Sequence, residues 1–534
     1  MSYRITMRTA SVTIALFGFV FCLLALSNPG RLDIVDAQTR YAVGESLYER
    51  GDSIIRDERV WWSVFPGRDD RMYSLYRLPH SLVAVGAIAV ADATGEVSEG
   101  RRHFAFMLAS SVAGGLLSLV YFAWFVRRGR SMRSAILWSL GGIVCTPAWF
   151  YSTSGFDDIF GALGVVAAVV LAGGWRCCAI VRAIVCGAIL AVACNFKQPL
   201  AVFLLPVLAI LDDRGATRGS RLLRAVLVVA GSIAGLAFEK GYQSYKFPFD
   251  FWTVNADFLK GYIGLWSGNP LPALACLALS PGAGAIWYSP TLYHSLLGTM
   301  RATSGSPLVR YALIASAAIF VGFFACLTFF KGDLSWGPRY LVPPIAVLWL
   351  WIPEGLARTP AIRAKALLAV AVLVQALGVS VDPHRLYIER EIPMGLGAVW
   401  PWMYFYPQAS HLVQRPREIV QILQSTSSAE AFSPAPSPTF AIDAVDPWKP
   451  NGEEIPERVR PYHIVSARSR IPAEVAEGQG PTIVRRYTIL NSLRPWWHTF
   501  RNDPAPVDYD ATLLVLLAGL LFAGKALYFI PRRS

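Results

Sequence analysis

The chain has 534 residues, of which 54% are hydrophobic and only 16% charged, and its mean hydropathy is +0.42. That is too apolar for a soluble multidomain protein, so length here counts membrane-spanning helices rather than globular units. The formal net charge of +13 does not point to nucleic acid, because Arg and Lys fall in short loops between apolar runs and form no basic stripe. The eight cysteines have no paired C-x-x-C spacing and imply neither a disulfide framework nor a zinc site.

Arg4 and Arg8 precede the first apolar run, 9–27, which ends in LALSNP without an A-x-A cleavage site and reads as an uncleaved helix. Further runs follow at 103–126, 133–151, 158–174, 179–195, 199–211, 222–238, 285–300, 309–329, 338–354, 364–380 and 511–529. The expected fold class is an all-α polytopic membrane protein of about 12 transmembrane helices. Basic loops stay cytoplasmic, which applies to RRGRSMR (127–133), WRCCAIVR (175–182), DDRGATRGSRLLR (212–224), the Arg301–Arg310 loop, and Arg358 with Arg363 and Lys365. Alternating spans satisfy all of them only if LVAVGAIAVA (82–91) does not cross, so it is expected to lie on or dip into the outer face. Both termini are then cytoplasmic.

This divides the chain into a transmembrane region at 1–380 with a first outer loop at 28–102, an irregular extracytoplasmic tract at 381–510, and a last helix with its tail at 511–534. The tract is rich in Pro and Trp (SPAPSPTF, VDPWKP, RPWWHTF) and shows no long amphipathic period.

Polar residues gather at the outer helix ends, where burying them is costly. In RLDIVDAQTRYA (31–42), Asp33 and Asp36 sit beside Arg31 and Arg40. Asp36 opens a helix, where an acid is often an N-cap, or it is a carboxylate able to take a proton from an acceptor hydroxyl. GRDDRMYSLYRLPHS (67–81) offers Arg68, Arg71, Tyr73, Tyr76, Arg77 and His80, either for a phosphate or sugar or as interfacial anchors. Asp157 and Asp158, in SGFDDIFGAL, are either helix-dipole partners or a second acidic site. A divalent cation is the weaker reading of that pair, since no D-x-D spacing accompanies it. NFKQP carries Lys197, KFPFDFW carries Lys246 and WGPRYLVPP carries Arg339, three outward cations of the kind that hold a lipid phosphate or merely snorkel. No Walker-type GK[ST] follows the glycines of LSPGAGAIWYSP (279–290), so no ATP site is read there.

The order DAQTRYA (36–42), DRMYSLY (70–76), SPGAGAIWYSP (280–290) and WGPRYLVP (336–343) resembles that of bacterial polytopic glycosyltransferases of the GT-C superfamily. That class includes protein O-mannosyltransferases and the lipid A aminoarabinose transferase, and the resemblance covers about residues 1–385. It implies an extracytoplasmic active site in the bacterial inner membrane, a polyprenyl-phosphate-linked sugar donor, and inversion at the anomeric carbon. The acceptor would be an envelope glycan, lipid or protein.

By position, the resemblance makes Asp36 the base, Asp157 or Asp158 a second acid, and Lys197 and Arg339 phosphate ligands; Tyr288 of the YSP motif joins the substrate-side candidates. Two departures stand out. The family's D-E-x-R-Y is here D-A-Q-T-R-Y, so Asp36 aligns only with a one-residue shift and Asp33 is its rival. SPGRG has become SPGAG, losing a cation. The rival functions are a secondary transporter or lipid flippase, which calls for charged broken helices at the bilayer midplane, and a non-catalytic envelope-assembly protein.

Overall fold

The computed structural model describes residues 7–57, 60, 63–95, 97–174, 178–211, 217–248, 269–301, 307–327, 329–332, 335–386, 404–424, 493–499 and 507–529. Among these, seven helices are long and apolar enough to cross a membrane. They are α1 (Met7–Ser27), α4 (Glu99–Arg127), α8 (Ala179–Phe196), α10 (Arg218–Lys246), α13 (Pro307–Ala325), α14 (Ala361–Ser380) and α16 (Tyr509–Tyr528). Between them lie α2 (Val35–Arg50), α3 (Leu78–Ala93), α5 (Met132–Val144), the single turn α6 (Ala148–Tyr151), α7 (Asp158–Gly174) and α9 (Leu204–Leu211). Later come α11 (Leu271–Leu279), α12 (Leu292–Arg301) and α15 (His411–Gln424). A two-stranded antiparallel hairpin, β1 (Val64–Pro66) with β2 (Met72–Ser74), stands between α2 and α3.

Several runs expected to be single spans are interrupted, each at proline. The run at 285–300 is split at Ser289–Pro290, between a turn of helix at Ala285–Tyr288 and α12. The run at 338–354 is a chain of short pieces, Arg339–Leu341, Val342–Leu348, Trp349–Trp351 and Ile352–Leu356. Proline lacks the amide donor and crowds the preceding turn, so Pro343, Pro344 and Pro353 shorten the pieces. All of this segment but Tyr340 and Glu354 is buried, and α4 satisfies two of its carbonyls: the Tyr121 hydroxyl donates to the Ala346 carbonyl at 2.9 Å and the Trp124 indole to Leu350 at 2.9 Å. Irregular backbone at this depth is tolerated only where protein surrounds it. Hydropathy alone registers apolarity and not these breaks.

Stretch 82–91 forms part of α3, which packs between α2 and α4. Most of the tract at 381–510 lies outside the described residues. Its described part includes α15, whose period the sequence reading missed because the buried face is polar (His411, Arg415, Glu418) and the exposed face carries Val413, Val420 and Leu423.

Two helix pairs set the frame for the polar end. The α8–α10 pair meets along Gly187–Ala191 and Gly231–Gly235: a Cβ on Gly231 would lie 2.7 Å from the Gly187 carbonyl carbon, and one on Gly235 2.7 Å from Ala191 Cα. Small residues at four-residue spacing let membrane helices approach this closely, and the Asn195 amide adds a 2.8 Å bond to the Gly235 carbonyl. This contact fixes where α8 ends, and therefore where Lys197 stands. The α1–α16 pair packs last helix on first, with Gly519 against Cys22.

Candidate active site

Four separated segments bring charged side chains together. Ile34, not Asp36, occupies the N-cap of α2, and no side chain caps that helix. The Asp36 side chain instead receives the Tyr76 hydroxyl on Oδ1, while Oδ2 lies 3.3 Å from Arg339 Nη2 and 3.9 Å from Arg40 Nη1. Arg40 follows Asp36 by four residues, hence on the same helix face, and its Nη2 reaches Asp157 Oδ2 at 3.1 Å. The Arg40 guanidinium also lies over the Tyr76 ring, 4.3 Å from its centroid.

The second segment is the SGFDD turn that starts α7. Asp158 is fully buried and is held by Lys197 Nζ on Oδ1 and by Arg339 Nε at 2.8 Å on Oδ2. Asp157 Oδ1 is buried without a hydrogen bond, with Lys197 Nζ at 3.6 Å and Arg339 Nη2 at 3.7 Å. Lys197, the third contributor, is the extended residue that caps α8 before the Gln198–Pro199 break. Its ammonium sits 4.8 Å from the Tyr340 ring centroid.

The fourth is the WGPR turn. Gly337 has φ +62 and a Cβ there would strike the Tyr288 ring at 2.5 Å, so glycine is required twice over. Arg339 leaves this turn with Phe156 3.7 Å beneath its guanidinium and its Nε and Nη2 spent on carboxylates. Its Nη1 has no acceptor among the described residues.

Three carboxylates thus face three cations, Asp36, Asp157 and Asp158 against Arg40, Lys197 and Arg339. Buried ions persist only when paired in this way. Asp36 keeps the most solvent access of the three acids, with its side chain 13% exposed against 7% for Asp157 and 0% for Asp158. Burial would raise the Asp36 carboxyl, but Arg339, Arg40 and the Tyr76 hydroxyl outweigh it and hold it below the ordinary carboxylate range. Asp157 is depressed by the same contest, burial against Arg40, Lys197 and Arg339. A divalent cation does not fit this donor set, because each carboxylate is already neutralised by a cation and no group of three metal-ligating side chains converges among the described residues.

The remaining sequence candidates lie elsewhere. Asp33 accepts from Arg494 Nη2 and from the Gly155 amide, both at 2.9 Å, and so ties the first outer loop to a C-terminal segment. Lys246 donates to the carbonyls of Ser74 at 2.6 Å and Tyr76 at 2.9 Å, clamping the end of β2 and the residues after it that present Tyr76. His80 is packed among Phe106, Phe160 and Phe196. Tyr73 packs on Phe247, and Tyr288 on Trp336 beneath the WGPR turn. Arg68 reaches the Ser244 carbonyl at 3.3 Å, and both it and Arg71 are exposed. Two members of the cluster were not among the site candidates: Arg40, whose i+4 relation to Asp36 was legible, and Tyr340, which only its adjacency to Arg339 suggested.

No protein-family model matches the chain, and no curated protein does. Among solved structures, the chain is similar to the crystal structure of ArnT from Cupriavidus metallidurans in the apo state, with TM-score 0.45, 16% identity, and 79% of this chain and 80% of that one covered. It is also similar to the apo form of the Archaeoglobus fulgidus oligosaccharyltransferase, with TM-score 0.40, 13% identity, and 81% of this chain and 60% of that one covered. On its own sequence and helices, the chain is a multi-pass membrane protein, and a neutralised ionic cluster lies within it at the helix ends.

Proposed function

We propose that the protein is a membrane glycosyltransferase of the GT-C type that moves a sugar from a polyprenyl-phosphate donor to an envelope glycan, lipid or protein on the extracytoplasmic face of the bacterial inner membrane. The observation that carries this reading is the meeting of Asp36 with Arg339 and, through Asp158, with Lys197, from motifs that the sequence resemblance ranks as the first-loop acid and the phosphate cations.

In this reading the acceptor hydroxyl donates a hydrogen bond to Asp36, which orients it. As the acceptor oxygen bonds to the anomeric carbon, the bond from that carbon to the phosphate oxygen breaks on the opposite face. The hydroxyl proton passes to Asp36, and the electron pair leaves with the polyprenyl phosphate. Asp36 is a weak base here, so proton transfer follows the acidification of the hydroxyl during attack instead of preceding it. Negative charge grows on the departing phosphate, and this reading assigns its stabilisation to Arg339 and the ammonium of Lys197. Asp157 and Asp158 fix those two cations and Arg40 in place. The sugar arrives already linked to lipid, so no nucleotide is needed.

The test is transfer from a polyprenyl-phosphate sugar by purified protein in proteoliposomes. Asp36→Asn is expected to lose about 100-fold or more of the rate, and full activity in that variant would overturn the assignment.

A further inference from the structure

The Lys246 end of α10 carries polar side chains that the proposed reaction does not use. Glu239, Gln243 and Lys246 stand at i, i+4 and i+7, so they share one face of the helix. Glu239 is 2% exposed and Lys246 fully buried, a costly placement at the end of a membrane-spanning helix.

That face grips four consecutive residues of the first outer loop. The Lys246 ammonium donates to the carbonyls of Ser74 at 2.6 Å and Tyr76 at 2.9 Å, the Gln243 amide donates to the Leu75 carbonyl at 3.2 Å, and Glu239 Oε1 lies 3.4 Å from Arg77 Nε. Gln243 also donates to Glu239 Oε1 at 2.8 Å, which ties two of the rungs together. The hairpin lies against the same helix end: a Cβ on Gly67 would meet the Lys246 carbonyl oxygen at 2.4 Å.

Tyr76 is the residue held from most sides. Its amide donates to Ser74 Oγ at 2.9 Å, its carbonyl accepts from Lys246, and its ring lies under the Arg40 guanidinium. With backbone and ring fixed, its hydroxyl is aimed at Oδ1 of Asp36. Arg77 carries the row to the other half of the ionic cluster, since its Nη1 donates to the Phe196 carbonyl at 3.3 Å, one residue before Lys197. One or two such bonds anchor a loop; a bond on each of four successive residues, around a side chain that meets the acid, fixes a geometry.

We infer that Glu239, Gln243 and Lys246 are positioning residues that act through Tyr76 on Asp36. The inference rests on the proposed function only in taking Asp36 as the base.

The experiment uses the full chain in detergent. Protonation of Asp36 is read by infrared titration, as the carboxyl signal lost in Asp36→Asn, and turnover is read by the transfer assay. The Tyr76 hydroxyl bond favours the ionised carboxylate, alongside Arg339 and Arg40 and against Asp157, so loosening it moves the titration to higher pH. Tyr76→Phe is expected to show that shift in full, Lys246→Met and Gln243→Met to show part of it, and neither to add to it in the Tyr76→Phe background. Turnover in both is expected to fall about tenfold or more, with the KM for the donor unchanged. Lys246→Met removes a charge and risks misfolding, because two carbonyls lose their donor; Gln243→Met removes no charge and is the deciding variant. A shift that persists undiminished without the Tyr76 hydroxyl, or an unmoved titration in folded Gln243→Met, overturns the proposal. Failure of the wild-type protein to transfer sugar would count against the proposed function alone, since the infrared titration needs no donor.

Discussion

Arg339 and Asp36, 303 residues apart in sequence, meet at 3.3 Å, and the same guanidinium reaches the fully buried Asp158 at 2.8 Å. One fork therefore couples the acid on α2 to the acid that opens α7. Lysine presents a point charge that cannot bridge both, so Arg339→Lys is expected to behave as a loss of function and not as a conservative change. Arg339→Gln leaves Asp158 with Lys197 as its one remaining cation and should cost about 3–5 kcal/mol of stability. Thermal unfolding in detergent, run beside the transfer assay, checks both; wild-type behaviour of Arg339→Lys in the two measurements would contradict the bridging role.

The pH dependence follows from Asp36. Burial acts to raise its carboxyl, and the Arg339 and Arg40 guanidinium groups with the Tyr76 hydroxyl bond more than reverse that. A carboxyl depressed in the folded state contributes stability that is present above its unfolded value of about 3.9 and is lost as pH falls through the folded value. The acid limb of kcat/KM is accordingly expected below about pH 4. An inflection near neutrality that disappears in Asp36→Asn would show that Asp36 titrates there, against this expectation.

How much of this was legible in the sequence depended on the kind of signal. Apolar length gave the long helices, and motif order singled out Asp36, Asp157, Asp158, Lys197 and Arg339, which converge. Periodicity could not separate Asp33 from Asp36, three residues apart in one loop, because what divides them is a partner, Arg494, 461 residues from Asp33. Nor could it show that Lys246, an outward cation by sequence, spends its ammonium on two carbonyls. Proline breaks at Ser289–Pro290 and through 339–356 were visible as residues, but satisfaction of the Ala346 and Leu350 carbonyls by Tyr121 and Trp124 is a long-range property.

Arg494 gives the contrast between the two first-loop acids a direct test. It is fully buried, donates to the Thr153 carbonyl at 2.7 Å and hydroxyl at 2.9 Å, and lies 4.6 Å from the Phe150 ring centroid. Trp496 continues the strap, its amide bonding the Asn28 carbonyl at 2.8 Å. Arg494→Met strands a buried carboxylate and should cost about 3–5 kcal/mol, while Asp33→Asn with Arg494→Met should recover part of that loss. Asp33→Asn alone is expected to lower melting temperature more than turnover, and Asp36→Asn to do the reverse. Equal effects of the two on turnover would remove the distinction.

The α8–α10 contact yields the last prediction. At Gly231 a Cβ would meet the Gly187 backbone at 2.7–2.9 Å, and backbone cannot step aside as a flexible side chain does. Alanine there must push the helices apart slightly, and leucine must separate them outright, so destabilisation is expected to rise from Gly231→Ala to Gly231→Leu, with overpacking of this kind costing about 1–3 kcal/mol. Because Asn195 bonds the Gly235 carbonyl one turn further along, and Lys197 follows two residues later, the separation also shifts the ammonium away from Asp158. Gly231→Leu should therefore lose transfer activity even at temperatures where it stays folded, although residue 231 is about 22 Å along α10 from Lys246. Differential scanning fluorimetry in detergent, followed by the transfer assay well below the variant's melting temperature, separates the two effects. A folded Gly231→Leu protein with wild-type turnover would show that the α8–α10 spacing does not set the position of Lys197.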